Sequence, residues 1–177
     1  YFLWCKRKYL VCRDETRRFV IRRPVMEIVK IKDNKKRYLP LLLLGDEQED
    51  MIDRYLEEGD LYVLYDGDEA LGVCVLTFPE AGTAEIKNLA VDPDRQRRGL
   101  GRYLVDFAAQ ACASTCSKLL VGTGDSPLTV PFYLACGFRE SHRVANFFTD
   151  HYDHPIFEAG RQLVDMVYFQ MKLPREN

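Results

Sequence analysis

The fold is decided by residues 85–102, which read EIKNLAVDPDRQRRGLGR. The first half has apolar residues spaced as in a buried strand. Pro93 ends that strand, because proline cannot donate to a ladder of hydrogen bonds. After Gly101, apolar residues recur at helical spacing. The stretch therefore predicts a strand, a turn, a glycine loop and a helix, in that order.

The glycine loop, residues 96–102, presents consecutive backbone N–H groups at the start of the predicted helix. Such groups have no partner within the helix and lie at the positive end of its dipole, which suits a phosphate. Gly99 and Gly101 let an anion approach the backbone closely. Three arginines add positive charge around the loop: Arg97, Arg98 and Arg102. The loop is therefore a candidate phosphate site.

Two other phosphate-binding loops have sequences that differ from this one. A P-loop ends in Gly-Lys-Ser/Thr, which this loop lacks. A dinucleotide fingerprint needs three glycines at fixed spacing, and this loop has only two of them. A tight strand-to-helix turn with solvated arginines remains open on the loop alone.

Two motifs together resemble those of the GNAT N-acetyltransferase family. Residues 96–101 (QRRGLG) resemble its Gln/Arg-x-x-Gly-x-Gly/Ala motif, and residues 131–138 (PFYLACGF) resemble its second signature. The resemblance extends over about residues 26–173 and is strongest to a bacterial subgroup of unassigned substrate. It implies an enzyme that moves an acetyl group from acetyl-CoA to a primary amine of a small molecule or peptide. The alternative is a regulatory module that binds acyl-CoA without turnover.

The residue pattern and the resemblance together predict an α/β (α+β) fold. We expect a mixed, mostly antiparallel sheet of six to seven strands, with helices on both faces and a split between strands four and five. The pattern predicts helices at 34–44, 47–58, 99–114 and 128–136, with Asp46 as the N-cap of the second. It predicts final strands at 138–148 and 163–173, around a polar and aromatic insert at 149–161.

The resemblance also implies a cofactor site. Backbone groups of the glycine loop would hold the pyrophosphate of acetyl-CoA, from Gln96, Arg97, Arg98, Gly99, Leu100, Gly101 and Arg102. The backbones of Leu89 and Val91 would pair with the pantetheine arm, and the Val91 N–H would stabilise the oxyanion. Many relatives carry Asn where this chain has Ser126, whose hydroxyl replaces the amide only in part.

Two residues are candidates for the chemistry by the same resemblance. Tyr133 would protonate the departing thiolate; the alternative is a packed tyrosine. Glu85 would take the proton of the amine; the alternative is a surface carboxylate or an ion pair. Other candidate bases are Asp125, His151, Asp153 and His154.

Composition sets limits on the class of protein. The chain has 177 residues, 47% of them hydrophobic, and no apolar run long enough for a membrane span. Residues 1–25 carry a net charge of +6 and the remainder −8. We expect residues 1–25 to be a basic extension, either foreign to the natural protein or poorly ordered, before an acetyltransferase domain at 26–177. A basic leader can bind nucleic acid, but a poorly ordered extension is the preferred interpretation.

Six cysteines lie mostly within apolar patterns, where a free thiol behaves as a small hydrophobe. Cys112 and Cys116 are four residues apart on one predicted helix, but no histidine or further cysteine pair has zinc-site spacing. We therefore expect no metal and a reducing cytoplasm. The sequence leaves a homodimer open.

Overall fold

The computed structural model describes residues 10–13, 19–22 and 26–174. The strands are β1 (Leu10–Arg13), β2 (Phe19–Arg22), β3 (Met26–Ile31), β4 (Asp60–Asp66), β5 (Glu69–Glu80), β6 (Thr83–Val91), β7 (Lys118–Gly124), β8 (Arg139–Val144), β9 (Phe157–Glu158), β10 (Arg161–Gln162) and β11 (Met166–Lys172). The α-helices are α1 (Leu39–Leu42), α2 (Glu49–Leu56), α3 (Leu100–Cys112), α4 (Thr129–Ala135) and α5 (Phe147–His151). Within these residues, no helix has the length and hydropathy needed to cross a bilayer.

One seven-stranded sheet forms the centre, in the order β3-β4-β5-β6-β7-β11-β8. Its neighbouring strands are antiparallel except for β6 and β7, which are parallel. Counted from β3, these two are the fourth and fifth strands along the chain. The prediction of a mixed, mostly antiparallel sheet is confirmed.

The structure describes only part of the basic extension predicted at residues 1–25. Strands β1 and β2 pair antiparallel in a sheet of their own. Most of the predicted basic extension lies outside the described residues, and the domain boundary at residue 26 stays a prediction. The central sheet does begin with β3, at Met26.

Helices cover both faces of the sheet, which follows from the alternation of side chains along its inner strands. In β5, Val73 and Val75 pack in the core beneath α1 and α2. Cys74 and Leu76 pack in the second core, beneath α3 and α4. All four side chains are fully buried. A central strand buried on both faces thus separates the two layers of helices.

The parallel pair β6–β7 stays together over only part of its length. Thr83–Ile86 pairs with Lys118–Val121, and the recorded pairing ends there. The rest of β6, residues 87–91, faces β7 across a gap, which we call the split. The predicted split between strands four and five is therefore confirmed.

Two helical predictions for the segment between β3 and β4 need correction. Residues 34–44 form a short 3-10 turn, Lys35–Tyr38, followed by one turn of α1, rather than a continuous helix. Helix α2 begins at Glu49 with Gln48 as its N-cap, so Asp46 is not the cap. Asp46 lies two residues earlier in the α1–α2 loop, where its carboxylate accepts other donors.

The end of the chain also differs from the pattern. The strand predicted to reach Phe148 stops at Val144, since Asn146 adopts a left-handed φ of 57° and starts helix α5. Phe148 is thereby turned into a small core with Ile156 and Leu163. The last strand begins at Met166 rather than Leu163.

Candidate functional site

The backbone of β6 faces the split with unpaired hydrogen-bonding groups. The Asp92 N–H donates to the Leu71 carbonyl at 2.8 Å. Asp92 and Leu71 therefore form a hydrogen-bonded pair of the antiparallel ladder between β6 and β5. Opposed pairs alternate along an antiparallel ladder, so Val91 and Leu89 occupy non-bonded positions opposite β5. Their N–H and C=O groups therefore point away from β5, into the split. The family resemblance implied this orientation, and contact with a pantetheine arm stays a prediction.

A β-bulge at Lys87 decides which side chains face each layer. Val75 pairs with Asn88 and Leu76 with Ile86, which leaves Lys87 without an opposed residue. Such an extra residue re-aims the side chains that follow it. As a result Asn88 contacts α1 and α2, while Ile86 packs in the core beneath α3 and α4.

The split opens into a cavity of about 200 Å³, which we call the split cavity. It runs from the α1–α2 loop to α4, with Leu89 on one wall and Tyr133 on another. The Tyr133 ring is buried against Phe132, Phe138 and Phe169. Burial raises the pKa of its hydroxyl. Tyr133 is thus a protonated phenol on the wall of a cavity at the split.

The glycine loop leads directly into the start of α3, as the sequence predicts. Gly99 is the N-cap of α3 with a left-handed φ of 84°, a conformation that favours glycine. Space beyond Gly99 is open, since an added Cβ would meet no atom within 4 Å. At Gly101 a Cβ would lie 3.2 Å from Cζ of Phe132. Gly99 therefore keeps the loop accessible, whereas Gly101 makes room for α4.

Side chains around the loop hold it in place. The Gln96 side-chain amide donates to the Val91 carbonyl at 3.1 Å. The Val91 carbonyl is therefore occupied, and the Val91 N–H is the backbone group that can bind a ligand in the split. Arg98 donates to the Asp94 carbonyl at 3.0 Å, and Arg102 to the Ala135 carbonyl at 2.7 Å. These bonds tie the loop to the end of β6 and to α4.

Ser126 is occupied locally. It is 2% exposed, and its hydroxyl accepts the Leu128 N–H at 3.1 Å just before α4. The side chain thus helps to start α4. Its proposed contact with the cofactor stays a prediction.

Glu85 lies beneath a second cavity of about 310 Å³, the side cavity, which α2 and α5 also line. Glu85 is 8% exposed. Its Oε1 accepts from Lys87 Nζ at 3.1 Å and from the Tyr168 hydroxyl at 3.3 Å. Burial, and after it the Glu85 charge, raises the pKa of Tyr168 to about 12. Glu85 is therefore both an ion-pair partner and a group that lines a cavity.

Asp46 is a functional candidate that the sequence pattern missed, because its partners are distant in the chain. It lines both cavities. Its carboxylate accepts from the hydroxyls of Tyr152 at 3.0 Å and Tyr55 at 3.4 Å. Burial raises its pKa, although these hydrogen bonds oppose the shift. Tyr55 in turn accepts from the buried Asn88 amide at 3.0 Å.

The other candidate bases do not form a single cluster. His151 lines the side cavity, with its Nδ1 2.9 Å from the Phe147 carbonyl. Asp153 and His154 bond to each other and line neither cavity. Asp125 forms ion pairs with Arg143 at 3.0 Å and Arg161 at 3.5 Å.

The cysteine pair is not on one helix as predicted, because α3 ends at Cys112 and Cys116 follows it. Both are buried free thiols. In the described ranges, no three His, Cys, Asp or Glu residues are grouped so that they could hold a metal ion.

With this geometry established, comparison with known proteins identifies the family. A family model for the acetyltransferase (GNAT) domain matches residues 57–140. The uncharacterised N-acetyltransferase YvbK of Bacillus subtilis (strain 168) is 41% identical over 135 residues, which is 75% of this chain and 87% of that relative. The chain belongs to the GNAT acetyltransferase family. It is accordingly an acetyl-CoA-dependent N-acetyltransferase, as the sequence predicts.

Solved structures agree with this assignment. An acetyltransferase of Bacillus subtilis in complex with CoA is 36% identical, with a TM-score of 0.78 over 85% of this chain and 100% of that chain. A GNAT family acetyltransferase of Elizabethkingia anophelis with acetyl-CoA bound is 35% identical, with a TM-score of 0.77 over 84% of this chain and 98% of that chain. Both support acetyl-CoA as the co-substrate of this fold.

Proposed function

We propose that the protein transfers the acetyl group of acetyl-CoA directly to a primary amine of a small molecule or peptide, within the split. The observation that carries this proposal is the outward backbone of Leu89 and Val91, which shares the split with Tyr133. A strand edge that is free on this side can pair with the amide groups of pantetheine. The thioester would then lie beside the phenol.

Tyr133 is the proposed general acid. When the tetrahedral intermediate collapses, the C–S bond breaks and the thiolate needs a proton. A buried hydroxyl with a raised pKa keeps its proton at neutral pH and can supply it. Tyr133 also lines the split cavity, where the thioester would lie.

Glu85 is the proposed base, acting directly or through water. It lines the side cavity, where the amine would enter, and it accepts from Lys87 and Tyr168. These donors hold the carboxylate in one orientation. The Val91 N–H, which faces the split, is the proposed oxyanion donor. Backbone N–H groups of the glycine loop, with Gly99 left open, are the proposed pyrophosphate site.

The alternative is a module that binds acyl-CoA and does not turn it over. Both functions need the loop and the split, but only the enzyme needs Tyr133 and Glu85. Incubation of acetyl-CoA with a panel of primary amines, with CoA release and the acetylated amine measured together, tests the proposal. Release of CoA matched by acetylated amine supports transfer. Tight acetyl-CoA binding without product from any amine contradicts it.

We also infer that the protein works in a reducing cytoplasm. Four cysteines of the acetyltransferase domain are buried free thiols, namely Cys74, Cys112, Cys116 and Cys136. A homodimer remains a prediction that light scattering of the purified protein tests. Nucleic-acid binding through the leader is not expected.

A further inference from the structure

Lys87 brings a primary amine of the protein itself to the split. The recorded pairing of β6 with β7 ends at Ile86, so Lys87 is the first residue of β6 on the split. It is also the bulge residue of β6 opposite β5. Among the lysines of the described residues, only Lys87 lines the split cavity and the side cavity. Its amine is therefore placed in the region where an acceptor amine would react.

The Lys87 amine is also in contact with the proposed base. Its Nζ lies 3.1 Å from Oε1 of Glu85, and the Lys87 side chain is only 30% exposed. A base must lie within hydrogen-bond reach of the proton that it removes. Glu85 meets this condition for the Lys87 ammonium without any movement of either side chain.

The split cavity contains the remaining part of the chemistry. Tyr133, the proposed general acid, lines it together with Lys87, and the thioester would lie beside this phenol. The flexible four-carbon stem of a lysine lets its amine approach a carbonyl carbon in the same cavity. Since the amine and the thioester are held by one protein, their reaction needs no encounter in solution.

We propose that Lys87 is an autoacetylation site, to which the protein transfers the acetyl group of its own bound acetyl-CoA. This inference rests on the proposed function. The Lys87 ammonium gives one proton to Glu85, and the neutral amine attacks the thioester carbon. A C–N bond forms, the C–S bond breaks, and the thiolate takes the proton of Tyr133. The second proton of the nitrogen restores the Tyr133 phenol, and Glu85 releases its proton to solvent. The products are Nε-acetyl-Lys87 and CoA.

This modification inhibits the enzyme. Acetylation removes the charge of a lysine and its ability to form an ion pair, so Glu85 loses the ammonium beside it. An uncharged and bulkier end group then lies between the cavities that Lys87 lines. We expect this group to keep an acceptor amine from Glu85. Inhibition therefore develops when acetyl-CoA is present and the acceptor is scarce.

Peptide mapping by mass spectrometry tests the site in the full chain. The occupancy of acetyl at each lysine is measured before and during incubation with acetyl-CoA alone. Lys118 is the matched internal control: its side chain is 35% exposed and its Nζ lies 3.3 Å from Oε1 of Glu80, but it lines neither cavity. Lys87 is expected to react about tenfold or more faster than Lys118. Equal rates at the two lysines would overturn the inference.

Two kinetic properties distinguish transfer from a bound donor from chemical modification in solution. The rate at Lys87 should level off as the acetyl-CoA concentration rises, whereas the rate at Lys118 should rise in proportion to it. The rate at Lys87 should also be independent of protein concentration, because the acetyl group passes within one chain. Proportional dependence on acetyl-CoA at both lysines would contradict autoacetylation.

Lys87→Arg keeps a positive charge beside Glu85 and removes the amine that is acetylated. Each protein is assayed for amine acetylation with and without preincubation in acetyl-CoA. The wild-type protein and Lys118→Arg should lose activity in proportion to the occupancy of acetyl at Lys87. Lys87→Arg should lose none. An equal loss in Lys87→Arg would refute the inhibitory effect of this modification.

The outcomes separate this inference from the proposed function. Acetylation of added amines with none at Lys87 overturns autoacetylation alone. Acetylation of Lys87 with none of any added amine supports autoacetylation and contradicts transfer to a free amine. Absence of transfer to Lys87 and to every amine, while acetyl-CoA still binds, overturns both.

Discussion

The hydroxyl of Tyr152 donates to Oδ1 of Asp46 at 3.0 Å, across 106 residues of chain. This bond joins the insert to the α1–α2 loop. Both residues line the split cavity and the side cavity, so they lie where the two cavities meet. The contact therefore holds the insert against the α1–α2 loop. Neither segment is a strand of the central sheet, so this bond helps to fix the wall that the two cavities share.

Tyr152→Phe removes only that hydroxyl and leaves the ring stacked on Phe148. We expect KM for the amine to rise, because the wall between the cavities loosens. The affinity for acetyl-CoA should change little, since residues 96–102 of the glycine loop line neither cavity. Amine kinetics and calorimetric titration of acetyl-CoA measure the two effects. Tyr103→Phe, at an exposed position on α3, is the control. A change confined to acetyl-CoA affinity would contradict this role.

Asp46 is expected to make stability depend on pH. Burial raises its pKa above the ordinary value of 3.8, so the folded protein binds this proton more readily than the unfolded chain. Its contribution to stability is present below pH 3.8 and is lost as the pH rises through the folded value. Relative to Asp46→Asn, the wild-type protein should therefore gain free energy of unfolding on acidification from neutral pH. Urea titrations of both proteins at a series of pH values measure this, and a relative loss on acidification would refute it.

Tyr133→Phe tests the general acid. Without the phenol proton the thiolate leaves unaided, so kcat should fall by about two orders of magnitude or more. The ring packing is retained, and we expect the acetyl-CoA dissociation constant to stay within about threefold. Steady-state CoA release and calorimetry give the two quantities. An unchanged kcat would remove Tyr133 from the mechanism.

Glu85→Gln tests the base. The carboxamide cannot accept the ammonium proton, so the variant depends on amine that is already deprotonated in solution. Its deficit relative to the wild-type protein should be large at neutral pH and shrink as the pH rises towards the pKa of the amine. Rate profiles of both proteins against pH show this. A deficit that stays constant with pH would mean that Glu85 has only a structural role.

Local signals made much of the site predictable. The left-handed position of Gly99 and the strand that precedes it are encoded within residues 85–102, and the split follows from the family fold. The position of Lys87 where β6 leaves β7 could not be predicted, because it results from contacts between segments that are apart in the sequence. The sequence pattern predicts Asp46 as a helix cap for the same reason, since nothing near it in sequence shows that the Tyr152 hydroxyl donates to it. A single left-handed residue, Asn146, ended a strand that the apolar pattern continued.

We propose that acetyl-CoA binds in the split with its pyrophosphate on the glycine loop. Calorimetric titration of acetyl-CoA into the wild-type protein, Gly99→Asp and Gly67→Asp tests it most directly. Gly67 is a matched control, because it too has a positive φ and open space, at the β4–β5 turn. We predict binding of about micromolar affinity to the wild-type protein and to Gly67→Asp, and a loss of about tenfold or more in Gly99→Asp, whose carboxylate opposes the phosphates. Absence of binding to the wild-type protein, or equal affinity in all three, would contradict a pyrophosphate site at Gly99.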